Sequence, residues 1–325
     1  MVSVSTPSNK CPRHFVRFAR YETIIRIDST GMHPTTLDSW TRRPDILGVE
    51  SSTRQKFGKA RRRRSRYGYD HRWWGESAPV DPEDSSYWTT TRRPLPGLAF
   101  IFPILLAYEA GVIWLGGPSS DSVRAGADAW VRQGLAAFGL TDRWLLPVGL
   151  IAGLLGWQAV DRRDWRFRPV TLAGMAFESL LLAFALVALS KLVDLGFARL
   201  EGGNLLAASP QSRPSLAPVV GFLGAGLYEE ALFRLALIPL LYQGMRLLMV
   251  PSFFACTLAV TASSLVFSLA HHAGVPGEAF TWFAFVFRWL AGVFFAWVFV
   301  VRGFGVAVGT HTAYDLLVGW MDWHR

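Results

Sequence analysis

Residues 221–241 constrain the fold most, because they are apolar over the length of a membrane span and yet contain three charged side chains. A transmembrane helix needs about 20 mostly apolar residues. A charge at bilayer depth costs about 2.5–3.5 kcal/mol on translocon insertion scales. Glu229, Glu230 and Arg234 are therefore expected to face the interior of a helical bundle. They would serve there as a catalytic site or as a polar seam between helices of a carrier.

The spacing of these three residues predicts two different roles. On an α-helix, Glu230 and Arg234 lie four residues apart on one face, with the glutamate first, which is the favourable order for an ion pair. Glu229 points about 100° away from Glu230 on the same helix. We therefore expect Glu230 and Arg234 to neutralise each other as a supporting pair. Glu229 is then available as a catalytic residue.

The first 94 residues differ in composition from the rest of the chain. They contain 18 Lys and Arg against 10 Asp and Glu, and so account for most of the net charge of +9. Residues 61–66 read RRRRSR, a pattern that nucleic-acid-binding segments also show. We favour a disordered cytoplasmic tail attracted to anionic lipids and predict no nucleic-acid partner. The two cysteines, Cys11 and Cys256, offer neither a disulfide framework nor a cysteine-ligated zinc site.

Residues 95–325 are predicted to be an all-α, multi-pass membrane domain of about seven transmembrane helices. Arginines in the tail and in the 158–169 loop favour a cytoplasmic N-terminus. Glu109 and Glu178 also fall within apolar spans and are expected to be structural, with Arg288 paired to one of them. The seven predicted spans are 97–116, 144–160, 170–193, 217–241, 253–273, 279–301 and 303–320.

Two later spans each bring a histidine to membrane depth. His271 ends the fifth span, and His311 lies in the seventh, four residues before Asp315 and so on the same helix face. A glutamate near an imidazole can remove a proton from water, and a second histidine can donate to the developing oxyanion. The same side chains would also suit a zinc ion with an open position for water. Both arrangements hydrolyse an amide bond.

Three motifs in this order resemble those of the CPBP family of intramembrane proteases, also called the CAAX amino-terminal protease or Abi family. Residues 229–234 read EEALFR and match EExxxR, residues 267–271 read FSLAH and match FxxxH, and residues 311–315 read HTAYD and match Hxxx(N/D). The resemblance covers about residues 217–320. Each motif lies on its own predicted membrane helix, which makes the combination far more specific than any single motif.

The resemblance implies an intramembrane endopeptidase that acts on a membrane-associated peptide or protein. Glu229 and His271 would activate water, and His311 with Asp315 would form the second catalytic pair, supported by Glu230 and Arg234. If the enzyme is a metalloprotease, His271, His311 and Glu229 would hold a divalent metal such as zinc. Asp315 stands where the eukaryotic CAAX proteases have Asn, and this extra acid favours a metal.

Two other functions remain open from the sequence. One is an ion- or proton-coupled membrane carrier that uses the buried acids and histidines as a relay. The other is a catalytically silent scaffold of the same fold, similar to bacteriocin-immunity proteins. The expected surroundings are membrane lipids, with a bacterial plasma membrane as the location. The sequence does not define the oligomeric state.

Overall fold

A computed structural model describes residues 86–116, 123–162, 164–200, 216–273 and 279–324, and these residues form helices and connecting turns without a strand. The predicted all-α helical bundle is thus confirmed. The predicted tail lies outside the described residues up to residue 85. The helices are α1 (Tyr87–Thr90), α2 (Pro94–Gly116), α3 (Gly126–Ala136), α4 (Leu145–Val160), α5 (Val170–Leu200), α6 (Leu216–Gly224), a π-helix (Ala225–Leu237), α7 (Ile238–Leu247), α8 (Ser252–Ala270), α9 (Trp282–Arg302) and α10 (Phe304–Trp323).

All seven predicted spans coincide with helices, but only five helical segments in the described part are both long and apolar enough to cross a membrane. The helix α4 is apolar but has only 16 residues. The helix α10 carries His311 and Asp315 and is not among the five. The count of seven crossings is therefore not confirmed. The five segments are Pro94–Gly116, Val170–Arg199, Leu216–Leu247, Ser252–Ala270 and Trp282–Arg302.

The outer surface of the bundle is apolar, as a lipid-facing surface requires. On α5, large side chains such as Phe177, Leu181 and Phe184 are exposed rather than packed. The buried core lies instead where α10 contacts α5, α2, α9 and the π-helix. Exposed apolar rows combined with buried polar residues are the reverse of the pattern in a water-soluble protein. Polar and charged side chains of the bundle therefore lie in its interior.

Two local signals define where α9 begins and how it turns into α10. The Thr281 hydroxyl accepts a hydrogen bond from the Ala284 N–H and caps the start of α9. Gly303 ends α9 with φ of +93°, a conformation that favours glycine. A Cβ atom at Gly303 would lie 2.9 Å from the Arg92 Cα atom. The tight turn therefore sets α10 directly back against the bundle.

A short segment before the first span also belongs to the folded region. The helix α1 lies before residue 94, where the sequence predicts the end of a disordered tail, and Thr90 is buried. The Tyr87 hydroxyl donates to Glu178 Oε2 at 2.7 Å. Arg302 donates to the Trp88 carbonyl at 3.3 Å, with its guanidinium carbon 4.1 Å from the Trp88 ring centroid. The folded region therefore begins upstream of the predicted boundary.

Candidate active site

The segment that carries Glu229, Glu230 and Arg234 is a π-helix rather than the α-helix on which the sequence argument relied. A π-helix closes i→i+5 hydrogen bonds, so it rotates less per residue than an α-helix, and π-helical turns often mark functional sites. Neighbouring side chains are therefore separated by somewhat less than the 100° expected for an α-helix. Glu229 and Glu230 both lie near His311 on α10, at 3.9 and 2.8 Å. The two glutamates thus share His311 as a neighbour.

Small residues let the π-helix approach its neighbours closely. A Cβ atom at Gly226 would lie 2.0 Å from Thr312 Oγ1 and 3.0 Å from the Thr312 backbone nitrogen. A Cβ atom at Gly224 would meet the Tyr108 ring at 2.2 Å. Gly221, one turn earlier, has nothing within 4 Å of such an atom. The contact at Gly226 is the one that brings the glutamates beside His311.

Glu230 has two buried partners. Its Oε1 atom lies 3.1 Å from Arg234 Nη1, and the same oxygen accepts a hydrogen bond from His311 Nδ1 at 2.8 Å. Glu230 and Arg234 are 0% and 1% exposed, so neither charge is offset by solvent. The Arg234 guanidinium also donates to the Gly292 carbonyl at 3.3 Å. Glu230 thus forms the ion pair with Arg234 that the sequence predicts. It also binds His311, a contact that the sequence does not predict.

Glu229 lies between the two histidines. Its Oε2 atom is 3.6 Å from His271 Nε2 and 3.9 Å from His311 Nε2. His271 Nδ1 is 2.9 Å from the Phe267 carbonyl, which can only accept, so this nitrogen carries the proton and Nε2 faces Glu229. Asp315 Oδ2 lies 3.6 Å from His311 Nε2. The four residues named from sequence as catalytic therefore meet at one place.

Aromatic rings hold the two imidazoles in position. Phe295 is stacked on His311, with ring centroids 4.4 Å apart and an interplanar angle of 15°. Phe267 packs edge-on against His271 at 4.7 Å and lies under the Arg234 guanidinium at 4.3 Å. These contacts give the Phe of the FxxxH motif a physical role. They restrict rotation of both histidines and line the site with apolar surface.

The metal ligands suggested by the sequence, His271, His311 and Glu229, stay a prediction. Within the described ranges there is no group of three or more His, Cys, Asp and Glu arranged to hold a metal ion. Glu229 Oε2 lies 3.6 Å from His271 Nε2 and 3.9 Å from His311 Nε2. We derive no step through a metal.

Two other acids at membrane depth have partners outside this cluster. Glu178 is paired with Arg302, and Glu109 accepts a hydrogen bond from Tyr228 at 2.8 Å. The predicted pairing of Arg288 with one of these two glutamates stays a prediction. The charge of Arg288 acts on Glu229 and Asp315.

The sequence reasoning missed the real partners of both structural glutamates. Arg302 falls between the predicted spans 279–301 and 303–320, directly before Gly303, and this position next to a turn was the available signal. Tyr228 directly precedes the EExxxR motif. Nothing in the spacing of these residues predicts which helix they contact. His272 packs against Phe280, with ring centroids 5.1 Å apart.

Comparison with known proteins gives one match. Residues 211–317 match the family described as type II CAAX prenyl endopeptidase Rce1-like. The match spans 107 of the 325 residues and contains every residue of the cluster around Glu229. It confirms the predicted resemblance to the CAAX protease family. No curated protein and no solved structure matches the chain.

Proposed function

With residues 211–317 matched to the type II CAAX prenyl endopeptidases, we propose that this protein hydrolyses a peptide bond in a membrane-associated peptide or protein. The observation that carries the proposal is the position of Glu229 Oε2, which is buried and faces Nε2 of both His271 and His311. The family implies a protease, and the cluster supplies the groups that amide hydrolysis requires. Carboxylate and imidazole side chains are common general acids and bases.

Glu229 and His271 activate the nucleophile. A water molecule held between Glu229 Oε2 and His271 Nε2 transfers a proton to the carboxylate as its oxygen attacks the carbonyl carbon of the substrate. The Phe267 carbonyl keeps His271 Nδ1 protonated, so Nε2 is available to accept from the water. After the attack, Glu229 passes the same proton to the leaving amine. The bond to nitrogen then breaks without a free amide anion.

His311 stabilises the oxyanion of the tetrahedral intermediate. With both ring nitrogens protonated, the imidazolium donates through Nδ1 to Glu230 and through Nε2 to the substrate oxygen. Asp315, at 3.6 Å from Nε2, supports this orientation from the next helical turn. Phe295 keeps the ring flat against one wall. His311 is thus fixed before the substrate arrives, which is the requirement for electrostatic catalysis.

The arrangement of the other buried acids favours an enzyme over a carrier. A proton relay across the membrane would need Glu109 or Glu178 to exchange protons with Glu229. Each of them is instead paired with arginines, Glu178 with Arg302 and Glu109 at 3.6 Å from Arg124. A bacterial plasma membrane with the N-terminus in the cytoplasm remains our proposal for the location.

The test is cleavage of membrane-anchored peptides by the purified protein in liposomes, with products identified by mass spectrometry. Glu229→Gln should abolish cleavage and leave the helix content unchanged. Parallel reactions contain a chelator, followed by added zinc. Activity that survives the chelator supports the reaction described above. Cleavage that persists in Glu229→Gln, or no cleavage of any peptide by the unsubstituted protein, would contradict the proposal.

A further inference from the structure

Tyr228 directly precedes Glu229 but points to a different part of the bundle. Its hydroxyl donates a hydrogen bond to Glu109 Oε1 on α2 at 2.8 Å, and both side chains are buried. The Tyr228 ring packs edge-on against the Tyr108 ring, with centroids 5.5 Å apart. The residue before the proposed base is therefore tied to an acid that plays no part in the proposed chemistry.

Glu109 belongs to a buried polar network whose second acid is Asp128 on α3. Asp128 is 0% exposed, and its two oxygens accept from Arg124 Nη1 and from Arg132 Nε, each at 2.7 Å. The same two arginines lie 3.6 and 3.8 Å from the Glu109 oxygens. Tyr108 donates to Asp128 at 2.7 Å, as Tyr228 does to Glu109. We refer to these six residues as the α2–α3 network.

The α2–α3 network is charge-balanced, with two carboxylates and two guanidinium groups. Burying charges is favourable only when partners and hydrogen bonds replace the lost water. A network in which each charged group has a partner of opposite charge resists movement, because displacing one member leaves another without its partner. Except for Tyr228, its members precede residue 211 and so lie outside the segment that matches the protease family. The network gives the π-helix a fixed neighbour.

The π-helix needs such support from outside. Long π-helical segments are rare, so tertiary contacts must maintain this winding over 13 residues. On one side, Glu230 and Arg234 contact α10 and α9 through His311 and the Gly292 carbonyl. On the other side, Tyr228 contacts α2 through Glu109. Glu229 lies between these two attachments, and its direction depends on both.

We propose that Tyr228 is a positioning residue: its hydrogen bond to Glu109 lets the α2–α3 network set the rotation of the π-helix and so directs Glu229 toward His271 and His311. This inference rests on the proposed function for its kinetic consequence. Tyr228 itself contacts neither histidine in the described structure. It acts only through the backbone that it shares with Glu229.

Tyr108 provides a matched control within the same network. Each tyrosine donates one hydrogen bond to a carboxylate that also has Arg124 and Arg132 as neighbours. Tyr108→Phe and Tyr228→Phe each remove the hydroxyl that binds one acid of the network, and Tyr108→Phe also leaves the Ala125 N–H without its acceptor. They differ in the helix that is released, since Tyr108 lies on α2 and Tyr228 on the π-helix. A purely structural role would make Tyr108→Phe at least as damaging as Tyr228→Phe, whereas a positioning role makes Tyr228→Phe the more damaging variant for kcat.

The experiment measures kcat, KM and hydrogen exchange for full-length Tyr228→Phe and Tyr108→Phe in liposomes. Tyr228→Phe should lower kcat about tenfold, a loss typical of one misplaced interaction, while KM stays within about twofold. Hydrogen exchange should rise within 225–237. Tyr108→Phe should keep kcat within about twofold of the unsubstituted protein and raise exchange in α3 instead.

Equal kcat values for the two variants, or unchanged exchange in the π-helix of Tyr228→Phe, would overturn the inference. The exchange measurement does not depend on activity. If the unsubstituted protein cleaves nothing, the proposed function fails, and the exchange pattern alone decides whether Tyr228 holds the π-helix. A faster exchange confined to the π-helix would then still support the positioning role.

Discussion

Two glutamates at membrane depth, Glu178 and Glu229, have opposite surroundings. Both Glu178 oxygens are occupied: Arg302 binds them through Nε and Nη2, and Tyr87 donates to Oε2 at 2.7 Å. A bidentate Arg–carboxylate pair is among the strongest polar contacts in proteins. Glu229 Oε2, in contrast, is buried and makes no direct hydrogen bond within the described residues. Its nearest polar neighbours are two histidines at 3.6 and 3.9 Å.

The comparison separates an acid that holds helices together from the acid that we propose takes part in the reaction. Buried polar groups in proteins are almost always paired, so a buried carboxylate oxygen without a partner needs an explanation. The Glu178–Arg302–Tyr87 clamp joins α1, α5 and α9, and nothing in it remains to bind a substrate. The cluster around Glu229 has three acids, two histidines and Arg234. Within this cluster Glu229 Oε2 is buried without a direct hydrogen bond to the described residues, and we propose that it binds the attacking water.

The largest expected effect on stability comes from breaking the buried pair at Arg234. Arg234→Met removes one of the two buried partners of Glu230 and leaves His311 as the other, and it should lower the free energy of unfolding by about 3–5 kcal/mol. The double variant Glu230→Gln/Arg234→Met should recover most of this loss, because neither charge remains. Denaturation in detergent measures both values. Equal destabilisation by the single and double variants would show that the pair is not the source of the effect.

Arg302→Met tests the same principle at the clamp and should cost less. The Glu178 side chain is 18% exposed, so solvent can partly compensate the carboxylate after Arg302 is removed. We expect a loss of about 1–3 kcal/mol, in the range of a hydrogen bond to a charged group. A loss as large as that of Arg234→Met would contradict the distinction between the two sites.

The close approach at Gly226 should have the next largest effect, and this effect is on catalysis. Gly226→Ala places a Cβ atom 2.0 Å from Thr312 Oγ1 and must push the π-helix away from α10. This displacement moves Glu229 relative to His311 and should lower kcat by about 10- to 100-fold. The control is Gly221→Ala, because a Cβ atom there meets nothing within 4 Å. Similar kcat values for the two alanine variants would argue against the role of this contact.

The smallest effect is expected from Tyr87→Phe in the clamp. It removes one hydrogen bond to Glu178 and should cost about 1 kcal/mol at neutral pH with kcat unchanged. Burial, followed by the hydrogen bond to Glu178, raises the pKa of Tyr87 from 10.0 to about 12. The folded state thus retains this proton where the unfolded state releases it, so the stabilisation is complete below pH 10 and is lost as the pH rises to about 12. A stability difference between Tyr87→Phe and the unsubstituted protein that grows over this pH range would contradict the assignment.

The sequence predicted the helices and the composition of the candidate site because both depend on local patterns. Apolar spans give the helices, and the spacing of Glu230 and Arg234 gives their pairing. The motifs point to His271, His311 and Asp315, which the structure brings to Glu229. These features need no knowledge of which helices are neighbours.

The features that the sequence could not give depend on contacts between distant segments. The winding of the π-helix is supported by contacts such as the close approach of Gly226 to Thr312. Glu178 and Arg302 are 124 residues apart, and no periodicity predicts that they pair. The helix α1 has four residues and is recognisable as part of the fold only through its contacts. Sequence patterns therefore predict the residues of the candidate site but not the contacts between helices that position them.

The most direct test compares Glu229→Gln with Glu178→Gln in one experiment, because the two substitutions are chemically identical. Turnover of a membrane-anchored peptide is measured per folded molecule, together with the unfolding midpoint of each preparation. Glu229→Gln should lose about 10²- to 10⁴-fold in kcat, as expected for removal of a general base, and keep its midpoint. Glu178→Gln should lower the midpoint and keep kcat within about twofold. Normal turnover by Glu229→Gln, or an equal loss of kcat in both variants, would contradict the account.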